Sequence, residues 1–251
     1  MKRLASCGGH GTFEIRDVTC LLEQNGIPCC VVGVSALMFY GALRVRDKWE
    51  ICVATEKVDE AADIIRQHEE YTQTNEKRYP QPMSFAHMYT WFRGTEVDYE
   101  FCLVPSLHAR IPIDQVSVWR SSNGVPYAPL PDLVQSYLDK YDLVSLCDIV
   151  DGANLDYDWG ITNLDLKGKT DVEWAHQRNA ELMGGEGKLD ISLAASVLPT
   201  CHVETMSMWR KVTEDKKERL LQVMLPHELF ETRFMLKGSI SEPWREERDG
   251  C

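Results

Sequence analysis

Apolar and polar positions change rhythm along this chain, and the changes mark its elements. From Thr12 to Asn25 the apolar residues Phe13, Val18, Leu21 and Leu22 recur at helical spacing, and Asn25-Gly26 is a stop signal. Ile27-Pro28 leads into an unbroken apolar run, Cys29 to Val32, which predicts a buried strand. Gly33 then turns the chain into a short helix, Ser35 to Tyr40, closed by Gly41. A charged group follows (Arg44, Arg46, Asp47, Lys48, Glu50), and a second apolar strand, Ile51 to Ala54, carries it at its start. Lys57 to Glu70 predicts an amphipathic helix with Val58, Ala61, Ala62, Ile64 and Ile65 on one side. Residues 71–87 are polar, contain Pro80 and Pro82, and read as a loop. Met88–Arg93 and Thr95–Val104 form an expected hairpin around Gly94. In its second arm Glu96, Asp98 and Glu100 alternate with Val97, Tyr99 and Phe101, which places the acids on one face.

The rhythm changes again at Pro129-Leu130-Pro131-Asp132, where Pro131 suits the first turn of a helix and Leu133, Tyr137, Leu138 and Tyr141 continue it. Helices are expected at 132–150, 170–183, 189–197, 204–224 and 226–236, with an Asp- and Asn-rich loop over 151–169. The expected organisation is a flexible arm over 1–11, an α/β domain over 12–128, a helical portion over 129–238 and a loose tail over 239–251. The expected fold class is α/β (α+β), a mixed sheet with flanking helices followed by helices alone.

Composition narrows the function classes. With 44% hydrophobic residues and a mean hydropathy of -0.30, the chain has the balance of a soluble globule. No apolar run approaches the roughly 20 residues of a membrane span, and the first residues carry no secretory apolar core, so a cytoplasmic protein without membrane contact is expected. The nine cysteines make no CxxC pair, and several fall inside apolar strands, which favours reduced core thiols over a zinc or disulfide framework. The seven histidines show neither HxxxH nor HxH spacing, so no metal site is expected from them. A net charge of -12 argues against a general nucleic-acid binder, and DNA is not an expected partner; it leaves room for a local basic groove and suits a positively charged ligand.

The stretch from Gly33 to Glu56 holds the candidate chemistry. A strand, a glycine turn, a short helix and a strand with carboxylates at its rim build a site at a sheet edge. Two-metal phosphoryl transfer needs acids converging on cations about 4 Å apart, and acids at i and i+2 on a strand do so. Here those positions are Lys48 and Glu50, and an ammonium repels a cation. Asp47 and Glu50 are three apart and converge only if Asp47 sits in the turn before the strand. Asp98 is the natural third acid if the two strands are neighbours; otherwise it faces water. Ser35 follows the glycine turn as a nucleophile or a polar contact, although its surroundings are not the G-x-S-x-G elbow. Arg44 and Arg46 suit phosphate, or are ordinary surface cations. Lys211, Lys216, Lys217 and Arg219 make a further basic patch.

Residues 12–104 resemble the nucleotidyltransferase fold, through the helix ending NGIP, the strand VVGVSA, the GALRVR turn and the strand WEICV. PLPDLVQSYLDKYD is similar to the helix that opens the helical portion of many such proteins, so the resemblance spans about the first 145 residues. Within that frame, Asp47-Lys48-Trp49-Glu50 resembles the D-x-x-E motif of the fungal arginine-containing cyclodipeptide synthases. This narrower resemblance implies condensation of arginyl-tRNA with a second aminoacyl-tRNA to cyclo(Arg-Xaa) in secondary metabolism. It implies aminoacyl-tRNAs as partners, no ATP and no cofactor. Asp47 and Glu50 carry over as motif residues, with Ser35, Asp98, Arg44 and Arg46 as candidate substrate contacts. The alternatives are a nucleotidyltransferase using an NTP and magnesium through Glu50 and Asp98, and a non-catalytic binding module on the same fold.

Overall fold

The computed structural model describes residues 2–42, 44–76, 78, 85–184 and 201–222. Its nine strands among these residues are β1 (Arg3–Leu4), β2 (Cys29–Val32), β3 (Trp49–Val53), β4 (Tyr71–Thr74), β5 (Thr90–Gly94), β6 (Val97–Asp98), β7 (Glu100–Pro105), β8 (Trp119–Arg120) and β9 (Pro126–Tyr127). Seven of them form one mixed sheet in the order β4-β5-β7-β3-β2-β9-β8. The centre pairs β3 antiparallel to β2 and parallel to β7, and β7 antiparallel to β5. The apolar runs occupy that centre: β2 is buried along its whole length, and β3 everywhere except Glu50. Strands covered on both faces read as continuous apolar runs rather than alternating ones, which is the pattern of CCVV and EFCLV.

Helices supply the cover. Thr12–Gln24 and Val58–Arg66 pack on each other and against β2, β4 and β7. Gly33–Phe39 packs on β2 and β3 and meets Leu143–Gly152, which in turn packs on Leu130–Asp139. Among the described residues the main hydrophobic cluster runs from Ile15 to Val212, passing from the sheet into the helices after Ala128, with a small second cluster of Phe85, Trp174 and Ala175. The mixed α/β architecture with a helical C-terminal portion is therefore present as expected.

Several expectations need correction. Residues 2–11 are not a loose arm: Arg3–Leu4 pairs parallel to Val97–Asp98, and the backbone N–H of Ser6 donates to Glu14 Oε1 and Oε2 at 3.1 and 3.2 Å. The carbonyl of His10 accepts from Arg46 Nη2 at 2.7 Å and Trp49 Nε1 at 3.0 Å. The polar segment YTQT, expected as loop, is the edge strand β4, where one side of the backbone needs no neighbour and polar side chains are at home. The single helix expected over 132–150 is two, Leu130–Asp139 and Leu143–Gly152, broken at Tyr141 with φ +58°. Asp142 starts the second by accepting from the Ser145 N–H at 3.0 Å. The loop expected over 151–169 contains the helix Tyr157–Asn163, and Thr205–Glu214 and Lys216–Gln222 are separate helices. The helices expected at 189–197 and 226–236 and the tail lie outside the described residues.

The Glu14 carboxylate joins the backbone and hydroxyl of Ser6 to the first long helix, and the Ser6 Oγ also accepts from the Phe13 N–H at 3.0 Å. Glu14→Ala is expected to raise amide hydrogen exchange in residues 3–10 while leaving the central strands protected. Unchanged exchange in that segment would show that the β1–β6 pairing and the contacts of His10 with Arg46 and Trp49 hold it without Glu14.

Candidate functional site

A cleft of about 430 Å³ opens where the end of β2, the start of β3 and the later helices meet. Its sheet-side wall is Val32, Gly33, Val34, Lys48, Glu50 and Val104. Facing it are Leu133, Ser136, Tyr137 and Lys140 from one helix and Asp142 from the turn after it. Phe85, Tyr89, His108 and Trp174 close one end as an aromatic wall.

Glu50 is the centre of this arrangement. The antiparallel register sets it opposite Val32 and the parallel register beside Cys102, so neither strand neighbour is a second acid. Its carboxylate lies against the turn at Gly33, where the chain has φ +61°. A Cβ on Gly33 would stand 1.5 Å from Glu50 Oε2, so glycine is required twice, for the backbone and for the space. The Val34 N–H donates to the carboxylate. Burial pushes the Glu50 pKa up, while Lys48 and Lys140 pull it back.

Lys140 reports the same low-dielectric environment from the other wall: burial lowers its pKa, opposed by Asp142 and Glu50. Its ammonium donates to the Ala109 carbonyl at 3.5 Å and lies 5.2 Å from the Tyr137 ring centroid. The Tyr137 hydroxyl is buried without a hydrogen-bond partner. Burial also raises the proton affinity of the Tyr137 and Tyr89 phenols, which keeps both protonated as donors. At the aromatic wall His108 stacks on Phe85 at 4.1 Å, and Phe85 meets Trp174 edge-on at 5.8 Å. Burial, with Arg178 and His87 nearby, holds the His108 pKa at about 4, so its imidazole is neutral at ordinary pH.

Of the residues singled out in the sequence, Glu50 and Arg44 line the cleft; Arg44 is paired there with Asp148, Nε to Oδ2 at 2.6 Å. Asp47 is exposed and is not part of the lining, although its charge acts on Glu50 and adds to the raised pKa there. Arg46 is spent on the amino-terminal segment, its guanidinium 3.6 Å above the Trp49 ring. Ser35 is 1% exposed within its helix and does not reach the cleft. Asp98 is exposed in β6, outside the lining, and the alternation of acids is broken at Tyr99, after which Glu100 pairs with Arg78 and Arg93. Sequence reasoning missed Tyr137, Lys140, His108 and Trp174 as site residues. Tyr137 and Lys140 did carry a signal: they stand at i and i+3, which share a helix face.

The donor set is a poor match for a divalent cation. Glu50 has two lysines beside it, Asp142 is committed to its helix cap, and among the described residues no group of three or more His, Cys, Asp or Glu is placed to hold a metal.

No family model matches the sequence, and no curated protein matches it. Solved structures give partial likenesses. The chain is similar to ANT(2'')-Ia in complex with adenylyl-2''-tobramycin, at 13% identity over 55% of this chain and 87% of that one, with a TM-score of 0.33. The solution structure of the antibiotic-resistance factor ANT(2'')-Ia gives 10% identity over 85% and 94%, with a TM-score of 0.34. Terminal uridylyl transferase 4 from Trypanosoma brucei with bound CTP gives 14% identity over 85% and 64%, with a TM-score of 0.28. At these scores the likeness assigns nothing, and the chemistry has to be read from the cleft itself.

Two outcomes follow from the setting of Glu50. Gly33→Ala is expected to cost about 2 kcal/mol or more, since a left-handed alanine alone costs roughly 1–2 kcal/mol and the carboxylate must also move; a chemical denaturation midpoint measures it. For pH, a raised folded-state pKa means that the folded chain holds the Glu50 proton after the unfolded chain, with its ordinary value of 4.5, has released it. Stability from this group is therefore present at low pH and falls as pH rises from about 4.5 through the folded value. Melting temperatures between pH 4 and 8 should show Glu50→Gln gaining on the wild type as pH rises; parallel curves would contradict the burial.

Proposed function

We propose that this protein is a transferase on a nucleotidyltransferase-like fold that condenses arginyl-tRNA with a second aminoacyl-tRNA, releasing cyclo(Arg-Xaa) for secondary metabolism. The observation that carries the reading is Glu50, a carboxylate with a raised proton affinity and no ion-pair partner among the described residues, in a cleft whose other charged groups include Lys48, Arg44 and Lys140. Such a site is ill-suited to clamp metal-bound phosphates and well suited to take a proton from an ammonium. Both aminoacyl esters arrive activated, so no ATP is consumed and no cofactor is needed. What remains is to position the attacking amine, accept its proton and stabilise the carbonyl oxygen.

The roles then fall to named groups. Glu50, with its raised proton affinity, accepts the proton of the attacking α-amine. Arg44 and Lys48, both lining the cleft, meet the phosphates of the tRNA acceptor end, so a chain of net charge -12 presents positive charge at this one place. Arg46, held against Trp49 and His10, supports the amino-terminal segment rather than the tRNA. Asp47, exposed at the lead-in to β3, stands where the second motif acid would meet substrate outside the cleft.

Expression in a heterologous host, with mass spectrometry of the extract, tests this directly. Wild type is expected to yield a new arginine-containing cyclic dipeptide, and Glu50→Gln to lower its amount at least 100-fold at equal soluble protein, within the range for loss of a general base (roughly 10²–10⁴-fold). Soluble wild type without that product, but releasing pyrophosphate from a labelled NTP with magnesium, would replace this reading with nucleotidyl transfer.

A further inference from the structure

Across the cleft from Glu50 stand two donors that the proton-transfer role of Glu50 leaves unused. Tyr137 lines the cleft with its side chain, which is 3% exposed, and its buried hydroxyl has no partner for hydrogen bonding among the described residues. An unsatisfied buried hydroxyl costs roughly 1–3 kcal/mol, and a protein that carries one in its site has a group waiting for an acceptor. Lys140, one turn further along the same helix, brings its ammonium to the same wall and spends a single donor, at 3.5 Å, on the Ala109 carbonyl. Both have Glu50 within electrostatic reach. An acid on one wall faces a phenol and an ammonium on the other.

Resting on the aminoacyl-transfer reading, we infer that Tyr137 and Lys140 are catalytic residues that hold the oxyanion of the tetrahedral intermediate. As the α-amine of one aminoacyl group attacks the ester carbonyl of the other, the new N–C bond forms and the carbonyl π pair moves onto oxygen. The Tyr137 O–H and the Lys140 N–H donate to that oxygen. Glu50 takes the proton from the attacking nitrogen. When the intermediate collapses, the C–O bond to the terminal ribose breaks, and the departing oxygen receives that proton from Glu50. The sum is ester plus amine giving amide plus alcohol; a second such step, within the dipeptidyl ester, closes the ring and frees the second tRNA. Burial supports the donor roles, because a desolvated phenol keeps its proton and a desolvated ammonium gains most from an anion beside it.

Two probes test this in the full chain by calorimetry. One is arginine in amide linkage to the 3' nitrogen of 3'-amino-3'-deoxyadenosine, which presents a neutral carbonyl. The other replaces that carbonyl with a phosphonate, which presents a tetrahedral anion. Tyr137→Phe and Lys140→Met are each expected to weaken phosphonate binding about tenfold or more, the scale of a hydrogen bond to a charged group, and to leave amide binding within about twofold. In turnover, Tyr137→Phe is expected to lower kcat roughly 100-fold with KM nearly constant. Tyr137→Phe removes only the unpartnered hydroxyl, so its melting temperature should not fall. Equal losses for both probes, or none, would overturn the oxyanion assignment while leaving the proposed function standing. Wild type that binds neither probe and makes no cyclic dipeptide would overturn both.

Discussion

The structure depends most on a carboxylate forced into a place where only glycine leaves room for it. The register of β2 on β3 brings Glu50 opposite Val32, and the chain must turn at the next residue, Gly33, with a positive φ. Without a side chain there, the carboxylate slides against the backbone and meets the Val34 N–H. One contact thus fixes the end of a strand, the start of a helix and the floor of the cleft. The helix Gly33–Phe39 then packs against Leu143–Gly152, so the geometry is passed on to the helical half of the chain.

Charge in the cleft obeys the same constraint. Burial drives Glu50 towards its protonated form and Lys140 towards its neutral form, and each opposes the shift of the other. Neither group is locked in a close ion pair, so each retains capacity for a ligand. Arg44 lines the cleft while paired with Asp148, and Lys48 lines it near the Trp91 ring, whereas Arg46 lies on Trp49 and donates to the His10 carbonyl. The difference separates arginines that were equal in sequence: one faces the cleft, the other is part of the scaffold.

What could be read from sequence is what neighbours in the chain decide. Gly33 after CCVV is a local pattern and appears where the pattern puts it, while the strand expected over Ile51–Ala54 runs Trp49–Val53 and takes Glu50 inside it. Pro131 in the first turn of its helix is another local pattern. Convergence is not local. Asp98 would join Glu50 only if its strand lay beside β3; β7 does, with Cys102 next to Glu50, but Asp98 comes four residues earlier, in β6, which pairs with β1 and leaves the acid exposed. The amino-terminal segment reads as loose by composition because its partners, Glu14, Arg46 and Trp49, are all elsewhere in the chain. His87 and His108, without metal-ligand spacing, are brought within electrostatic reach of each other by the fold, and burial keeps His108 neutral in its stack on Phe85.

The two halves of the cleft also divide the work of recognition. The part of the cleft where Glu50 and Lys48 face Tyr137 and Lys140 is polar and carries both signs of charge, which suits a reaction in which opposite charges develop at once. The wall of Phe85, Tyr89, His108 and Trp174 is stacked and rigid, and a neutral imidazole there presents an aromatic face without a cation's desolvation cost. Bond-making chemistry belongs in the first part, where charge develops. The second suits a substrate group that does not change during a reaction, so it can govern which substrate is accepted without altering how that substrate reacts.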